Sequence, residues 1–329
     1  MRTRPFKQVD VFTHQPYLGN PLAVVLDGND LNDDDLQRFA RWTNLSETSF
    51  LLPPTHPSAD YRVRIFTPGG ELPFAGHPTL GSCHSWLQSG GQPRNQDFVI
   101  QECEIGLVKI RREPTLNRQA SNAEAPNAET SNSEAATERL AFAAPDLQRS
   151  QPSPVLLSQI AAALGLNQSQ IVAAQLLDNG PVWFGLLLDS PETVLQLTPN
   201  HQMLIKLNRK VGVASFYEAT PDTPLIARAN REARAFNTTA VSSTAPLVPE
   251  LEVRAFAAPI GIEEDPVTGS LNASLAQWLM AEGHAPERYL ATQGACLGRA
   301  GQVYIERDAA GQVWVGGETV TCVNGQVML

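Results

Sequence analysis

The chain has 329 residues, 42% of them hydrophobic and 18% charged, and a formal net charge of −10. That length and balance predict a globular protein with more than one core, most simply two domains. The acidic surplus excludes a nucleic-acid binder built on a basic surface, and the lack of any apolar run of about 18 residues excludes a helical membrane span. Four cysteines, Cys83, Cys103, Cys296 and Cys322, form no CxxC pair and are too few for a disulfide framework. The N-terminal MRTRPFKQVDVFT has no apolar leader core. Both features predict a cytoplasmic protein.

Along the chain, QVDVFT at 8–13 alternates as a strand does, and PLAVVLD at 21–27 reads as a buried strand. The breaker-rich QPYLGN turns between them. An amphipathic helix follows, with Asn32 as N-cap, Asp33 to Asp35 at the positive end of its dipole, and an apolar stripe of Leu36, Phe39 and Ala40. Asn44 ends it, and ETSFLLPP and YRVRIFTP are the next strands. Residues 114–137 contain no aromatic residue and only one large aliphatic, Leu116, too little to offset ordering entropy. Strand-like runs, GLVKIRRE and RLAFAAP, flank them, so a hairpin carrying a disordered insertion is expected. Ser153, Pro154 and Gly165 punctuate a further helix, VWFGLLLD at 182–189 is a buried strand, and Ser190-Pro191 and Thr198-Pro199 mark two more helix starts.

The sequence also repeats itself. YRVRIFTP aligns with LEVRAFAAP at 251–259, matching Arg64 to Arg254 and Phe66 to Phe256. Each strand leads to a loop with an acidic residue, a Gly-containing turn and a helix ending in Trp-Leu, at 86–87 and 278–279. A period this long does not suit a solenoid. It predicts two homologous domains, 1–150 and 151–329, each with a sheet around one apolar helix, the last strand packing on the first domain. HPTLGSCHSWLQ and SLNASLAQWLMAEG carry small and apolar residues on most sides, as wrapped helices need. Pseudo-symmetry would bring their N-termini to a common cleft, where free N–H groups and the positive dipole ends hold an anion such as a carboxylate.

Several residues could carry chemistry. His77, at one helix mouth, is a proton shuttle or a capping residue. Asp265 is a functional acid or a helix-entry acid favoured by the dipole. Glu47 in NLSET and Glu71 in GGELP are equally good carboxylates by composition. Ser270 lacks the surroundings of a nucleophile elbow, so a hydroxyl or backbone contact to substrate suits it better than hydrolysis. His77, Cys83 and His84 cannot converge on one metal ion, because six residues separate His77 from Cys83 while three or four share a helix face.

GNPLAVV at 19–25, NLSET at 44–48, FAGHPTLG at 74–81 and EDPVTGS at 264–270 resemble the signature motifs of the phenazine-biosynthesis isomerase (PhzF-like) family. The resemblance runs from the N-terminal strand to the C-terminal hairpin. It implies an α+β, diaminopimelate-epimerase-like fold: two pseudo-symmetric domains, each a curled, mostly antiparallel, barrel-like sheet around a central helix. It implies a cofactor-independent isomerase or epimerase, with Glu47 as general acid/base, His77 and Asp265 assisting, and Asn20, Gly76, Thr268, Gly269 and Ser270 contacting substrate. Neither helix mouth carries a cysteine, which disfavours the two-thiol mechanism of related racemases. Asn272 and Ser274 are more polar than the run found in phenazine producers, and QPYL at 15–18 differs in bulk; both point away from the phenazine precursor as substrate. A small carboxylate-bearing metabolite, no metal and a homodimer are the further implications. The rival reading is a non-catalytic ligand-binding or interaction protein on the same scaffold.

Overall fold

The computed structural model describes residues 1–114, 138–218 and 248–329. The insertion expected from 114 lies outside these residues, apart from Pro114 itself. The first part of the chain forms β1 (Thr3–Val11), β2 (Asn20–Val25), α1 (Asp33–Thr43), β3 (Thr48–Leu52), β4 (Tyr61–Phe66), β5 (Glu71–Leu72), α2 (Gly76–Gln88), β6 (Phe98–Cys103), β7 (Gly106–Pro114), β8 (Glu138–Ala143) and β9 (Gln148–Ser150). The second forms α3 (Pro154–Leu164), β10 (Ile171–Asp178), β11 (Val182–Leu188), α4 (Pro191–Gln196), α5 (His201–Leu207), β12 (Lys210–Phe216), β13 (Pro249–Ala257), β14 (Ile262–Asp265), α6 (Gly269–Ala281), β15 (Arg288–Gln293), β16 (Gly301–Arg307), β17 (Val313–Gly317) and β18 (Thr319–Met328).

Local chemistry accounts for the helix ends. Asn32 caps α1 through Oδ1, which accepts from the Asp35 N–H, and Asn44 closes it in the left-handed region at φ 54°. Ser153 caps α3 and Ser190 caps α4, each with proline just inside the helix. The start expected at Thr198-Pro199 falls two residues later, because the Asn200 side chain accepts from the Met203 N–H and begins α5 there.

The two sheets repeat one pairing scheme. β1 pairs antiparallel with β2, β2 parallel with β3, β3 antiparallel with β4, and β4 parallel with β6. In the same order β10 pairs with β11, β11 with β12, β12 with β13, and β13 with β15, with the same alternation of direction. β7–β8 and β16–β17 follow as antiparallel hairpins, and β8 pairs antiparallel with β17. The terminal strands are exchanged: β18 lies on β1, and β9 lies on β10. The eighteen strands of the described residues thus form one hydrogen-bonded system.

Each half curls around its helix. α2 touches β1, β2, β3, β6, β8 and β18, while α6 touches β10, β11, β16 and β17. Most of α2 and nearly all of α6 is therefore buried, as their lack of a polar face requires.

The aligned arginines hold equivalent positions. Arg64 grips Glu71 with Nε and Nη2 at 2.7 and 2.6 Å, and Arg254 grips Glu264 at 2.9 and 2.8 Å. Their guanidiniums lie 5.1 and 5.0 Å over Phe66 and Phe256. The acidic counterpart of Glu71 is therefore Glu264, not Asp265. The tryptophans correspond less well. Trp278 is fully buried, whereas Trp86, one position further from its helix start, is half-buried and stacks on Tyr61 with centroids 5.3 Å apart.

Candidate active site

The N-termini of α2 and α6 meet at two glycines. A Cβ on Gly269 would lie 3.0 Å from Gly76 Cα, and one on Gly76 would lie 2.7 Å from the Phe142 ring as well as 3.0 Å from Gly269 Cα. Only residues without side chains let the mouths approach so closely. Neither mouth has a side-chain cap or an acidic first turn. Their leading N–H groups and the positive dipole ends thus face one place without an internal anion.

Glu47 reaches that place from the short turn between the Asn44 cap and β3. Its side chain is 14% exposed, and Oε2 stands 3.6 Å from His77 Nε2 with no hydrogen-bond partner among the described residues. Burial raises the Glu47 carboxyl to about 8, the nearby Asp265 charge adds to the rise, and Ser46 and Lys210 oppose it. His77 is shifted the other way: burial lowers it to about 3, against a hydrogen bond to the Pro21 carbonyl. The imidazole is therefore neutral near pH 7, and its contact with Glu47 is not an ion pair. Nδ1 lies 3.4 Å from Asn20 Nδ2, whose hydrogens go to Asp265 and Val267. A proton on Nδ1 directed at the Pro21 carbonyl would leave Nε2, unpartnered among the described residues, presenting a lone pair to Glu47.

Asp265 closes the other side. Its Oδ1 accepts from Asn20 Nδ2 at 3.0 Å and its Oδ2 from Thr268 Oγ1 at 2.5 Å. Burial raises it to about 6 in spite of those two donors. Burial thus holds both carboxyls above their ordinary range, and two buried acids close together share a proton more readily than both ionise.

The expected contact residues divide into two groups. Asn20 commits both amide hydrogens internally, to Asp265 and to the Val267 carbonyl at 2.9 Å, so its amide bridges the halves instead of facing a ligand. Thr268 is similarly occupied: its N–H donates to Gln293 Oε1 at 3.0 Å, and its hydroxyl accepts from Gln293 Nε2 at 3.0 Å. Gly76, Gly269 and Ser270 lie at the mouths themselves. The Ser270 hydroxyl accepts from Trp183 Nε1 at 3.2 Å and bonds no base among the described residues, which leaves the hydrolase reading without support. Glu71 is bound by Arg64 and takes no part.

Other sequence expectations are corrected here. Asn272 donates to Gln293 Oε1 at 2.9 Å and to the Thr268 carbonyl, and Ser274 is fully buried. The Asn272 amide nitrogen thus ties α6 to β15, while its Oδ1 and the Ser274 hydroxyl are buried without partners among the described residues. His84 turns away from His77 to Thr321 Oγ1 at 3.0 Å, and Cys83 is buried in the core. Gln293, Trp183, Asn179 and Lys210 went unnoticed in the sequence. Asn179 donates to the Ser270 carbonyl at 3.1 Å and leaves its buried Oδ1 unpartnered among the described residues. A buried glutamine in an apolar strand was the available signal for Gln293; the others lie at strand ends that only the fold brings to the mouth of α6.

Residues 9–325 match the family described as phenazine biosynthesis-like protein (PhzC-PhzF). The chain belongs to this family. It is 32% identical to antisense-enhancing sequence 1 of Schizosaccharomyces pombe, over 99% of each chain. It is also 29% identical to trans-2,3-dihydro-3-hydroxyanthranilate isomerase of Pseudomonas aeruginosa, covering 92% of this chain and 90% of that one. Among solved structures, a PhzF-family phenazine biosynthesis protein from Bacillus anthracis superposes with a TM-score of 0.75 at 20% identity, over 100% of both chains. The family relation supports an isomerase, and the curled α+β architecture is of the diaminopimelate-epimerase type.

Proposed function

We propose that the protein moves a proton between carbons of a small carboxylate-bearing metabolite without a cofactor, Glu47 serving as general acid and base. The observation that carries this reading is the unpartnered Glu47 oxygen facing the unpartnered His77 nitrogen beside two uncapped helix mouths. A carboxyl raised toward neutrality is poised both to take a proton from carbon and to return it. The electron pair left on carbon is delocalised toward the substrate's carbonyl or π-system, and the mouths' N–H groups stabilise the charge that develops there. Neutral His77 accepts at Nε2 and orients the Glu47 O–H; charged Asp265 keeps the pair from ionising together.

One carboxyl that both removes and returns the proton works on one face of the substrate. That favours isomerisation over epimerisation, which needs a second acid on the opposite face. The isomerase of P. aeruginosa is named for a cyclic amino acid bearing a hydroxyl, and molecules of that class head the candidates.

Incubating small amino and hydroxy acids with the protein in heavy water tests the proposal. Carbon-bound deuterium should appear in at least one, and Glu47→Gln should lower its rate by about 100-fold or more. An unchanged rate in that variant would remove Glu47 from the mechanism. The rival reading of a binding scaffold predicts tight metabolite binding with no exchange at any carbon; a buried Glu47 carboxyl raised toward neutrality beside His77 counts against it.

A further inference from the structure

The duplication supplies a counterpart for Glu47. Thr48 stands opposite Phe66 in the β3–β4 pair, and Val211 stands opposite Phe256 in the β12–β13 pair. Phe66 and Phe256 are equivalent, so the residues one step earlier, Glu47 and Lys210, occupy matching positions. The local build agrees: Asn44 and Asn208, both in the left-handed region at φ 54° and 50°, end the preceding helices. Where the first half places an acid, the second places a base.

Within the described residues Lys210 makes no direct ion pair and donates no side-chain hydrogen bond; its Nζ lies 5.0 Å from the centre of the Trp183 ring. Trp183 is opposite Lys210 in the β11–β12 pair, and its indole N–H binds Ser270 Oγ at the mouth of α6. Lys7, the comparably buried lysine, instead donates to Gln88 Oε1 at 2.9 Å. The ammonium of Lys210 is thus carried beside the helix mouth on a rigid aromatic, with no ion pair among the described residues.

We infer that Lys210 is a substrate-positioning residue that receives the substrate's carboxylate, with the α6 mouth at Gly269 and Ser270 supplying N–H donors to the same anion. This rests on the proton-transfer reading given above and names the charge that the substrate must carry. An ammonium on an aromatic platform binds a carboxylate as a point charge, without demanding two-pronged geometry. The unpartnered Asn179 Oδ1 at the Ser270 carbonyl is an acceptor for an N–H or O–H adjoining that carboxylate. Burial lowers the Lys210 ammonium while Glu47, Asp178 and Asp265 raise it, which agrees with a cation desolvated close to the acids of the site.

The test pairs carboxylates with their neutral amides: benzoate and benzamide, anthranilate and anthranilamide, proline and prolinamide. Calorimetry on the full chain should find at least one carboxylate bound 10-fold or more tightly than its amide. Lys210→Met should abolish that preference, and Lys210→Arg should recover most of it, which a merely structural role on Trp183 would not do. In the unmutated protein carrying 13C-dimethylated lysines, the Lys210 signal should shift with that carboxylate and not with its amide, so the result does not depend on the variants folding. Glu47→Gln should bind the carboxylate at least as well while losing deuterium exchange; failure of the anion site and failure of the proton-transfer site are therefore read separately. The assignment is overturned if no carboxylate is preferred, if Lys210→Met binds it as the parent does, or if the Lys210 signal does not respond.

Discussion

Asn20 Nδ2, on the second strand of the chain, lies 3.0 Å from Asp265 Oδ1, which comes from the other half of the duplication. The same amide nitrogen holds the Val267 carbonyl, and Asn20 Oδ1 accepts from Ser46 Oγ at 3.4 Å, one residue before Glu47. One buried side chain therefore fixes the spacing of both acids. Asn20→Ala leaves Asp265 with one donor fewer in a buried place, an expected loss of about 1–3 kcal/mol in urea unfolding. Asn20→Asp should be worse, because it sets a second carboxyl against Asp265.

The titrations of Glu47 and His77 predict opposite effects on stability. Glu47 binds its proton more tightly when folded, so it removes stability as pH rises from its ordinary 4.5 to about 8. Glu47→Gln abolishes that loss, and its advantage in stability over the parent should grow across this window, by a few kcal/mol at most, with Tm rising accordingly. His77 binds its proton less tightly when folded, so its contribution is lost as pH falls from 6.5 towards about 3. His77→Asn should flatten the acid limb instead. Melting curves from pH 4 to 9 separate the two; parallel curves would contradict both shifts.

In the rate profile, proton removal by Glu47 should rise with pH towards about 8. Asp265 raises the Glu47 carboxyl and Lys210 lowers it. Asp265→Asn should therefore move the limb to lower pH and Lys210→Met to higher pH. Displacement in the same direction by both variants would show that the limb belongs to another group.

Gly269→Ala places a Cβ against Gly76 backbone, which no side-chain rotation relieves. Forcing the mouths apart should cost about 1–3 kcal/mol. Exchange should fall further than stability does, since the donors of both mouths are displaced together. A calorimetric melt and a deuterium-exchange rate on the same preparation check this.

The equivalent arginines should respond unequally. Arg254 and Glu264 are 6% and 10% exposed, and Arg254 also binds the Val194 and Leu197 carbonyls at 3.0 and 2.9 Å. Arg254→Met leaves a buried carboxylate and orphaned carbonyls, at an expected cost of about 3–5 kcal/mol. Arg64 and Glu71 are 22% and 31% exposed, and Arg64→Met should cost about 1 kcal/mol or less. Equal losses in urea unfolding would refute the distinction.

Much of this architecture was legible because duplication writes the same pattern twice. Arg64 and Arg254 revealed the repeat through spacing alone, and the small residues of α2 and α6 announced helices wrapped by sheet. Local signals such as Asn32, Ser153 and Ser190 placed helix ends from a few neighbouring residues. The site was harder to read. Asn20, Asp265, Thr268 and Gln293 form one network from distant strands, and nothing local distinguishes a bridging asparagine from one that faces a ligand. Lys210 stayed hidden because its meaning comes from strand register: it matters as the counterpart of Glu47, and sequence similarity between acid and base is nil.

The exchanged strands bear on how the cleft can work. With β8 on β17, β18 on β1 and β9 on β10, the halves are stitched along three seams. Jaws hinged on one flexible linker could gape to admit a molecule; halves sewn in this way would have to tear strand from strand. The loops between them add to this stitching: Arg299 Nη1 holds the Tyr17 carbonyl at 2.7 Å and the Ala300 N–H holds that of Leu18 at 2.8 Å. Any opening of the cleft must therefore be small enough to leave these seams paired, or must break backbone hydrogen bonds along them.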